Sequence, residues 1–488
     1  MGPPTGSRRE CESRPIRVRI ASAQEAKNAA CKAPGEGYTR PATSAHKAWS
    51  KEVEAQVETI PQTPVLPEEM TAALIDPATY ADIPRLTEVY AWLRRHMPLG
   101  VSKSRYFDPF WVVTKHADIL EVSKNNKVFR NSDRATILTD RYTDALVRYL
   151  RDGSPHLART LAHMDDPDHR KYRALTSQWF MASNLARREE TIRAIAREFI
   201  DEMLAAGPEC DFVKQVAVRY PLRVIMQILG VPIEDEPLML KLTQEIFGNL
   251  DADMNRSGAA KQTAEQALLN LNGAIDTFFQ YFDGITRDRR ANPRDDIATV
   301  IANGMIEGEP IGNFEAMSYY SLVATAGHDT VSSSIAGAML ALCEHPEEFR
   351  KVKADRALIS GLVEESLRWS TPVRHFMRTA ATDYELRGQR IKAGDWLMLC
   401  YLSGDRDEEV FEDPNAFRVD RTPNKQLSFG FGGHMCLGQH MARLEMRVFF
   451  EELFARVSSL ELAGTAEHSR AVFVGGLKVL PIRYETAH

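Results

Sequence analysis

The chain has 488 residues, 44% hydrophobic and 26% charged, with 61 Lys+Arg against 67 Asp+Glu for a net charge of -6. That balance excludes an electrostatic case for nucleic acid, and no apolar run is long enough for a transmembrane helix. Six scattered cysteines make no disulfide framework, so a reducing, cytoplasmic compartment is expected. Length alone allows about three domains of roughly 150 residues, or one large domain.

Residues 1–50 carry nine Lys/Arg and four Asp/Glu, a net of +5, and eight of the 25 prolines fall within the first 67 residues. Apolar periodicity is almost absent there. Residues 1–67 are therefore expected to form a disordered or weakly ordered extension. Its Arg-, Ala- and Ser-rich start has some of the character of an organelle transit peptide; a plain extension or a misplaced start codon is the simpler reading. Residues 68–488 are expected to be a single domain.

From Tyr80 the pattern turns helical, with Leu86, Val89, Tyr90 and Leu93 at helix spacing. Phe110–Thr114 reads as a strand. Helical periodicity dominates 168–370, including a long helix over about 313–345. Beyond Pro372, Tyr384–Leu386, Ile391 and Trp396–Leu399 read as short strands joined by turns. Val472–Val474 and Val479–Ile482 flank Gly475-Gly476 like a C-terminal hairpin, with Pro481 confining its second strand to a sheet edge. The fold class is mainly α with small β-sheets (α+β).

The most informative segment, Phe429–Gly438, reads Phe-Gly-Phe-Gly-Gly-His-Met-Cys-Leu-Gly, four glycines in ten residues around one cysteine. Such a backbone turns sharply or approaches something closely. Leu437, Met441, Leu444 and Val448 then repeat at helix spacing, which places Cys436 at a helix N-terminus, where a thiolate is favoured and the thiol pKa falls. A thiolate beside a glycine loop suits axial ligation of a flat iron macrocycle. Two rivals stay open at this point. His434, Cys436 and His440 are possible zinc ligands, although no second Cys/His pair stands at finger spacing. A structural cysteine in a glycine turn is the bland alternative.

The complete Phe-Gly-x-Gly-x-His-x-Cys-x-Gly pattern resembles the haem-thiolate signature of the cytochrome P-450 superfamily. Three further elements follow its order. Glu365-Ser-Leu-Arg368 is similar to the Glu-x-x-Arg ion pair, with Arg421 as its third member. Ala326-Gly-His-Asp-Thr330 is similar to the oxygen-activation motif, and His169-Arg-Lys-Tyr-Arg173 to a propionate-binding helix. Segments such as Glu236–Glu245, Cys436–Met446 and Phe473–Gly476 resemble the bacterial α-terpineol monooxygenase subfamily.

The resemblance implies the P-450 fold, a triangular prism with haem between a long distal helix and the proximal Cys loop. It implies haem b with Cys436 as metal ligand and O2 as cosubstrate. Thr330 and Asp329 become the catalytic proton-delivery residues. His169, Arg173, Arg378, His434, Phe429, Gly430, Ala326 and Gly327 become cofactor-binding residues; Glu365, Arg368 and Arg421 form a structural ion pair. Leu322, Thr325, Phe376, Met377, Phe473 and Val474 are expected to line a substrate pocket, with 131–162 as its lid. The implied substrate is a small apolar molecule, a monoterpenoid such as terpineol or an alkyl-aromatic hydrocarbon.

Only 52 residues follow Cys436 and no Gly-rich dinucleotide fingerprint is present. Electrons are therefore expected from a separate 2Fe-2S ferredoxin with its NAD(P)H reductase, docking near Cys436 and basic residues such as Arg443. A soluble, bacterial, cytoplasmic monomer is expected, without membrane or nucleic-acid partners. The competing reading is a haem-binding sensor or a peroxide-using haem-thiolate protein. Both Asp329 and Thr330 are present, which favours the monooxygenase.

Overall fold

The computed structural model describes residues 63–247 and 264–487, all within a compact unit spanning Pro61–His488. The expected extension lies outside the described residues up to residue 62. Its last residues already pack: Val65 bridges Val101, and Leu66 is buried.

The strands that frame the site are β1 (Leu99–Ser102), β2 (Phe110–Val113), β3 (Phe129–Arg130), β4 (Glu209–Asp211), β5 (His375–Ala380), β6 (Trp396–Cys400), β7 (Val457–Leu462) and β8 (Pro481–Thr486). The principal sheet runs β1-β2-β6-β5-β3, parallel only between β2 and β6. β2 and β6 are buried at every position, as strands covered on both faces must be. Alternate residues enter two cores. Phe110, Val112, Met377, Trp396 and Met398 pack on one face; Trp111, Val113, Leu397 and Leu399 pack on the other, as the pleat requires. The short strands Tyr384–Leu386 and Gln389–Ile391 pair through Arg387 and Gly388, both at positive φ.

The helices of the site are α1 (Ile83–His96), α2 (Asp168–Ser177), α3 (Glu189–Ala205), α4 (Arg219–Leu229), α5 (Ala264–Ala291), α6 (Asn313–Ala326), α7 (Asp329–Glu344), α8 (Ile359–Ser370) and α9 (Gln439–Arg456). On α1, Leu86, Val89, Tyr90 and Leu93 all face inward. Helix α7 runs through the largest core, where Ile335, Ala336 and Met339 are fully buried beside Leu362 of α8 and Val448 of α9.

Two expectations are corrected here. The long helix over 313–345 is two helices, interrupted at Gly327–His328. The C-terminal hairpin is absent as drawn: Val474 makes only an isolated bridge to Val373, and Leu477–Val479 pairs with Glu467–His468. Pro481 opens β8, the central strand of the sheet β7-β8-β4. It pairs with Asp211 of β4, and its carbonyl accepts from the Ala463 N–H at 2.9 Å just past the end of β7; as the first residue of its strand it is tolerated there.

Candidate active site

One cavity of about 250 Å³ lies between the α6–α7 break and the Cys436 loop. The break has identifiable causes. A Cβ on Gly327 would lie 3.0 Å from Ile225 Cδ1 and 3.3 Å from the Val323 carbonyl oxygen, so glycine lets α4 pack closely. His328 is fully buried, its Nε2 2.7 Å from the Val218 carbonyl oxygen. The Thr330 hydroxyl donates to the Ala326 carbonyl across the interruption at 2.7 Å, a back-bond that bends helices.

Asp329 opens α7. Its Oδ1 is 3.6 Å from His328 Nδ1, and its buried Oδ2 has no hydrogen-bond partner among the described residues. Burial raises the Asp329 pKa against the pull of His328, which favours a carboxyl that keeps its proton.

The cysteine loop is shaped by Gly430 and Gly432, both at positive φ. A Cβ on Gly432 would meet the Ser123 carbonyl oxygen at 2.2 Å, so only glycine closes this turn. The Cys436 N–H donates to the Phe429 carbonyl at 2.8 Å. Helix α9 starts at Gln439, three residues after the cysteine. The expected fall in thiol pKa is reversed in the protein alone: burial pushes Cys436 up, and the Gly438 N–H with the Arg173 and Arg443 charges only partly offsets it. Desolvation that outweighs the nearby guanidiniums favours the neutral thiol; a coordinated metal ion removes that proton outright.

At the rim of the cavity five polar side chains gather. The His169 and His434 rings lie 3.9 Å apart. Asn131 Nδ2 is 2.8 Å from His434 Nε2. Arg173 donates to the Met435 carbonyl at 2.7 Å, and Arg378 to the Met377 carbonyl at 2.8 Å. Burial and the Arg378, His169 and Arg173 charges push His434 down to about 2. His169 Nε2 and Asn131 Oδ1 are buried without partners. Two guanidiniums and an unused imidazole nitrogen at one rim suit a ligand carrying carboxylates. With the cysteine loop beneath, the residues fit a flat macrocycle that bears them.

The cavity is lined by twelve of the expected site residues: Leu322, Ala326, Gly327, Thr330, Phe376, His169, Arg173, Arg378, Phe429, Gly430, His434 and Cys436. Five others stand off its wall. Asp329 is adjacent to Thr330 and faces His328. Thr325, one residue before Ala326, is turned by about 100° around α6; it is buried and donates to the Ser321 carbonyl at 2.7 Å. Met377 lies between two lining residues of β5, and strand alternation sends it into the opposite core. Phe473 backs the wall instead, its ring 5.2 Å from that of Phe376, and Val474 bridges Val373.

Asn131, Leu161 and Ala162, from the 131–162 segment expected as lid, also line the cavity, as do Val373, Ser334 and Glu445, to which no site role was assigned from sequence. Ser334 follows Thr330 by one helical turn, the one regularity that marks it in sequence. Arg443, expected to face a partner, is half-buried: it pairs with Glu364 at 2.5 Å and covers the Phe429 ring at 4.5 Å.

Beside the site, Glu365 and Arg368 form a two-pronged ion pair at 2.6 and 2.8 Å, both fully buried. Arg421 Nε donates to both Glu365 oxygens at 3.1 and 3.2 Å, and the Arg418 N–H and Asn424 add further bonds. Arg368 and Arg421 also reach the Pro414, Ala416, Glu412 and Asp413 carbonyls, which ties α8 to the segment leading to Cys436.

A family model described as Cytochrome P450 matches residues 131–470. The chain is 44% identical to "Cytochrome P450-terp" of a Pseudomonas species over 86% of this chain and 99% of that protein. The crystal structure of CYP108D1 from Novosphingobium aromaticivorans DSM12444 superposes with a TM-score of 0.81 at 47% identity, covering 87% of this chain and all of that one. The Mycobacterium marinum cytochrome P450 CYP268A2, in complex with pseudoionone, matches with a TM-score of 0.76 at 28% identity over 87% of this chain and 98% of that one.

Proposed function

Given that the chain belongs to the cytochrome P450 family and is a cytochrome P450 monooxygenase, we propose that it binds haem b through Cys436 and hydroxylates a small apolar substrate, a monoterpenoid or an alkyl-aromatic hydrocarbon. The observation that carries this reading is a single cavity with the Cys436 loop and the α6–α7 break on its walls, closed by Leu161, Ala162, Leu322, Val323, Val373 and Phe376. Such a lining selects apolar molecules. "Cytochrome P450-terp" is the name of a relative with which most of the chain aligns, and this supports the terpenoid class.

The haem iron, when bound, supplies the activation of dioxygen with two external electrons. The protein contributes the rest. Cys436 Sγ would hold the iron as a thiolate, tempered by the Gly438 N–H. Arg173, Arg378, His169 and His434 would hold the carboxylates of the macrocycle. The α6–α7 break leaves room beside Thr330, whose hydroxyl keeps free lone pairs while donating to Ala326. Asp329, one residue away, has its carboxyl pKa raised by burial and would relay a proton inward. The apolar wall excludes bulk water from the reacting centre.

Among the described residues no helix is long and apolar enough to cross a membrane. We place the protein in the cytoplasm as a monomer, fed by a 2Fe-2S ferredoxin and its NAD(P)H reductase. The test is a carbon monoxide difference spectrum of the reduced protein, followed by titration with α-terpineol, p-cymene and a polycyclic arene. A thiolate-type band and a high-spin shift with one of the first two are expected. An imidazole-type band overturns the ligand assignment, and a shift with the polycyclic arene alone overturns the substrate class.

A further inference from the structure

Asp405 is a fully buried carboxyl to which no sequence pattern assigned a role. It follows the short helix Tyr401–Gly404 at the end of β6. Its Oδ1 accepts from the Leu427 N–H at 2.6 Å. Its Oδ2 lies 2.9 Å from the Thr371 hydroxyl and 3.0 Å from the Ser428 hydroxyl. Its backbone carbonyl accepts from Arg368 Nη1 at 3.0 Å. The end of α8, the segment after β6 and the start of the cysteine loop thus converge on one residue.

What Asp405 holds is the first turn of that loop. The Leu427 N–H goes to Asp405, and the Leu427 carbonyl accepts from the Gly430 N–H at 2.7 Å. Gly430 is at positive φ, so the backbone bends back at once. Inside this turn, Phe429 presents the carbonyl that receives the Cys436 N–H at 2.8 Å. Ser428 and Phe429 share the cavity wall with Cys436. On the other side of the clamp, Thr371 ends α8 at φ 36°. That is a left-handed conformation which a β-branched residue rarely adopts and which persists only where its surroundings enforce it.

The protons show what the position requires. The Thr371 hydroxyl also faces the Arg368 carbonyl at 2.8 Å, and the Ser428 hydroxyl faces the Leu367 carbonyl at 2.6 Å. Carbonyls only accept, so each hydroxyl gives its single proton there and turns lone pairs toward Oδ2. The position therefore calls for an acceptor toward Leu427 and a donor toward the two hydroxyls. Burial pushes the Asp405 carboxyl up to about 6, against the Leu427 N–H, Thr371, Arg368 and Ser428, which eases retention of a proton. An asparagine amide offers the same acceptor and two N–H donors.

We propose that Asp405 is a positioning residue for Cys436: it clamps the turn at 427–430 to the end of α8, so that the Phe429 carbonyl keeps the Cys436 N–H and the sulfur keeps its place on the cavity wall. Groups behind a metal ligand fix its orientation in this way. The proposal rests on the reading of Cys436 as the ligand of the haem iron.

Asp405→Ala, Asp405→Asn and Ser428→Ala test it with two readouts. Amide hydrogen exchange, followed by mass spectrometry on peptides spanning 427–436, reads the clamp itself. Asp405→Ala is expected to raise exchange there about tenfold while peptides of α1 and α4 stay unchanged, and Asp405→Asn to remain within about twofold of wild type. The second readout is the reduced carbon monoxide complex of the haem-loaded protein. Its thiolate-type band is expected to convert to a thiol-type band several-fold faster in Asp405→Ala, and at the wild-type rate in Asp405→Asn. Equal losses in the Ala and Asn variants, or wild-type exchange in Asp405→Ala, overturn the proposal. A rise in exchange spread evenly over the chain reports general destabilisation and overturns it too. Should Asp405→Ala not fold, Ser428→Ala decides: faster local exchange and band conversion support the clamp, and wild-type values in both overturn it. If the wild type itself gives an imidazole-type band, the ligand reading fails, while the exchange pattern still decides the clamp.

Discussion

Two of the buried polar clusters among the described residues are wired in opposite ways. Around Glu365 every charge is answered: two guanidiniums, a backbone N–H and Asn424 converge on one carboxylate. Around the cavity, polar atoms of His169, Asn131, Asp329 and Glu445 are buried without partners. Leaving a buried polar group unpaired costs about 1–3 kcal/mol, so a fold tolerates several in one place only when something else completes them. The completed cluster braces the chain that leads to Cys436. On the function proposed above, the incomplete one is where cofactor, oxygen and protons would complete it.

The largest effect expected from this contrast is at Cys436. Cys436→Ala should remove the thiolate-type band of the reduced carbon monoxide complex and all monooxygenase turnover, while the secondary structure seen by circular dichroism persists. Next comes Glu365→Gln, which strands Arg368 and Arg421 in the interior. Breaking a buried ion pair by losing one partner costs roughly 3–5 kcal/mol, read as a lowered urea midpoint. A loss below about 1 kcal/mol would mean that the cluster is no brace, and the contrast would collapse.

Much of this was legible once several short patterns in one order resembled a single family; each pattern alone was weak. The glycines around Cys436, the Glu365–Arg368 interval and the Gly327–Thr330 run are local patterns, each held within one turn or loop. The walls of the cavity were less legible because they depend on which way an element faces. Phe376 and Arg378 line the cavity and Met377 between them does not; the strand period separates them once β5 is known to be a strand. Pro481 reads as an edge residue until β4, from more than 260 residues earlier in the chain, supplies the third strand. Glu445 had no role assigned from sequence, since a buried, unpartnered carboxyl is defined by what fails to surround it in space.

A smaller effect, on the completed side of the contrast, concerns Glu452 of α9. Burial would raise its pKa, but hydrogen bonds from Arg193, Arg456 and Arg197 prevail and hold it at about 2. A folded pKa below the unfolded value contributes stability above about pH 4.5, lost as pH falls toward about 2. Because Arg197 and Arg456 are partly exposed, solvent screening reduces the stabilisation to about 1 kcal/mol at neutral pH. Glu452→Gln should therefore lower the urea midpoint at pH 7, and the gap from wild type should narrow progressively below about pH 4.5. A gap that stays constant with pH would show that packing, and not charge, is what Glu452 provides.

The smallest stability effect belongs to Thr330, and it sharpens the contrast most. Its hydroxyl makes one neutral hydrogen bond, to the Ala326 carbonyl, and Thr330→Val keeps the side-chain shape. A single neutral bond contributes about 1 kcal/mol net, so the urea midpoint should barely move. Product formed per electron consumed should nonetheless fall sharply, with electrons diverted to peroxide, and Asp329→Asn should show the same pattern. Glu365→Gln should do the reverse, losing stability while the surviving folded protein keeps its coupling. If Thr330→Val instead destabilised the protein as much as Glu365→Gln, the α6–α7 break would be a structural joint that happens to border a cavity. If it left coupling intact, the unpartnered groups around it would need another explanation than proton delivery.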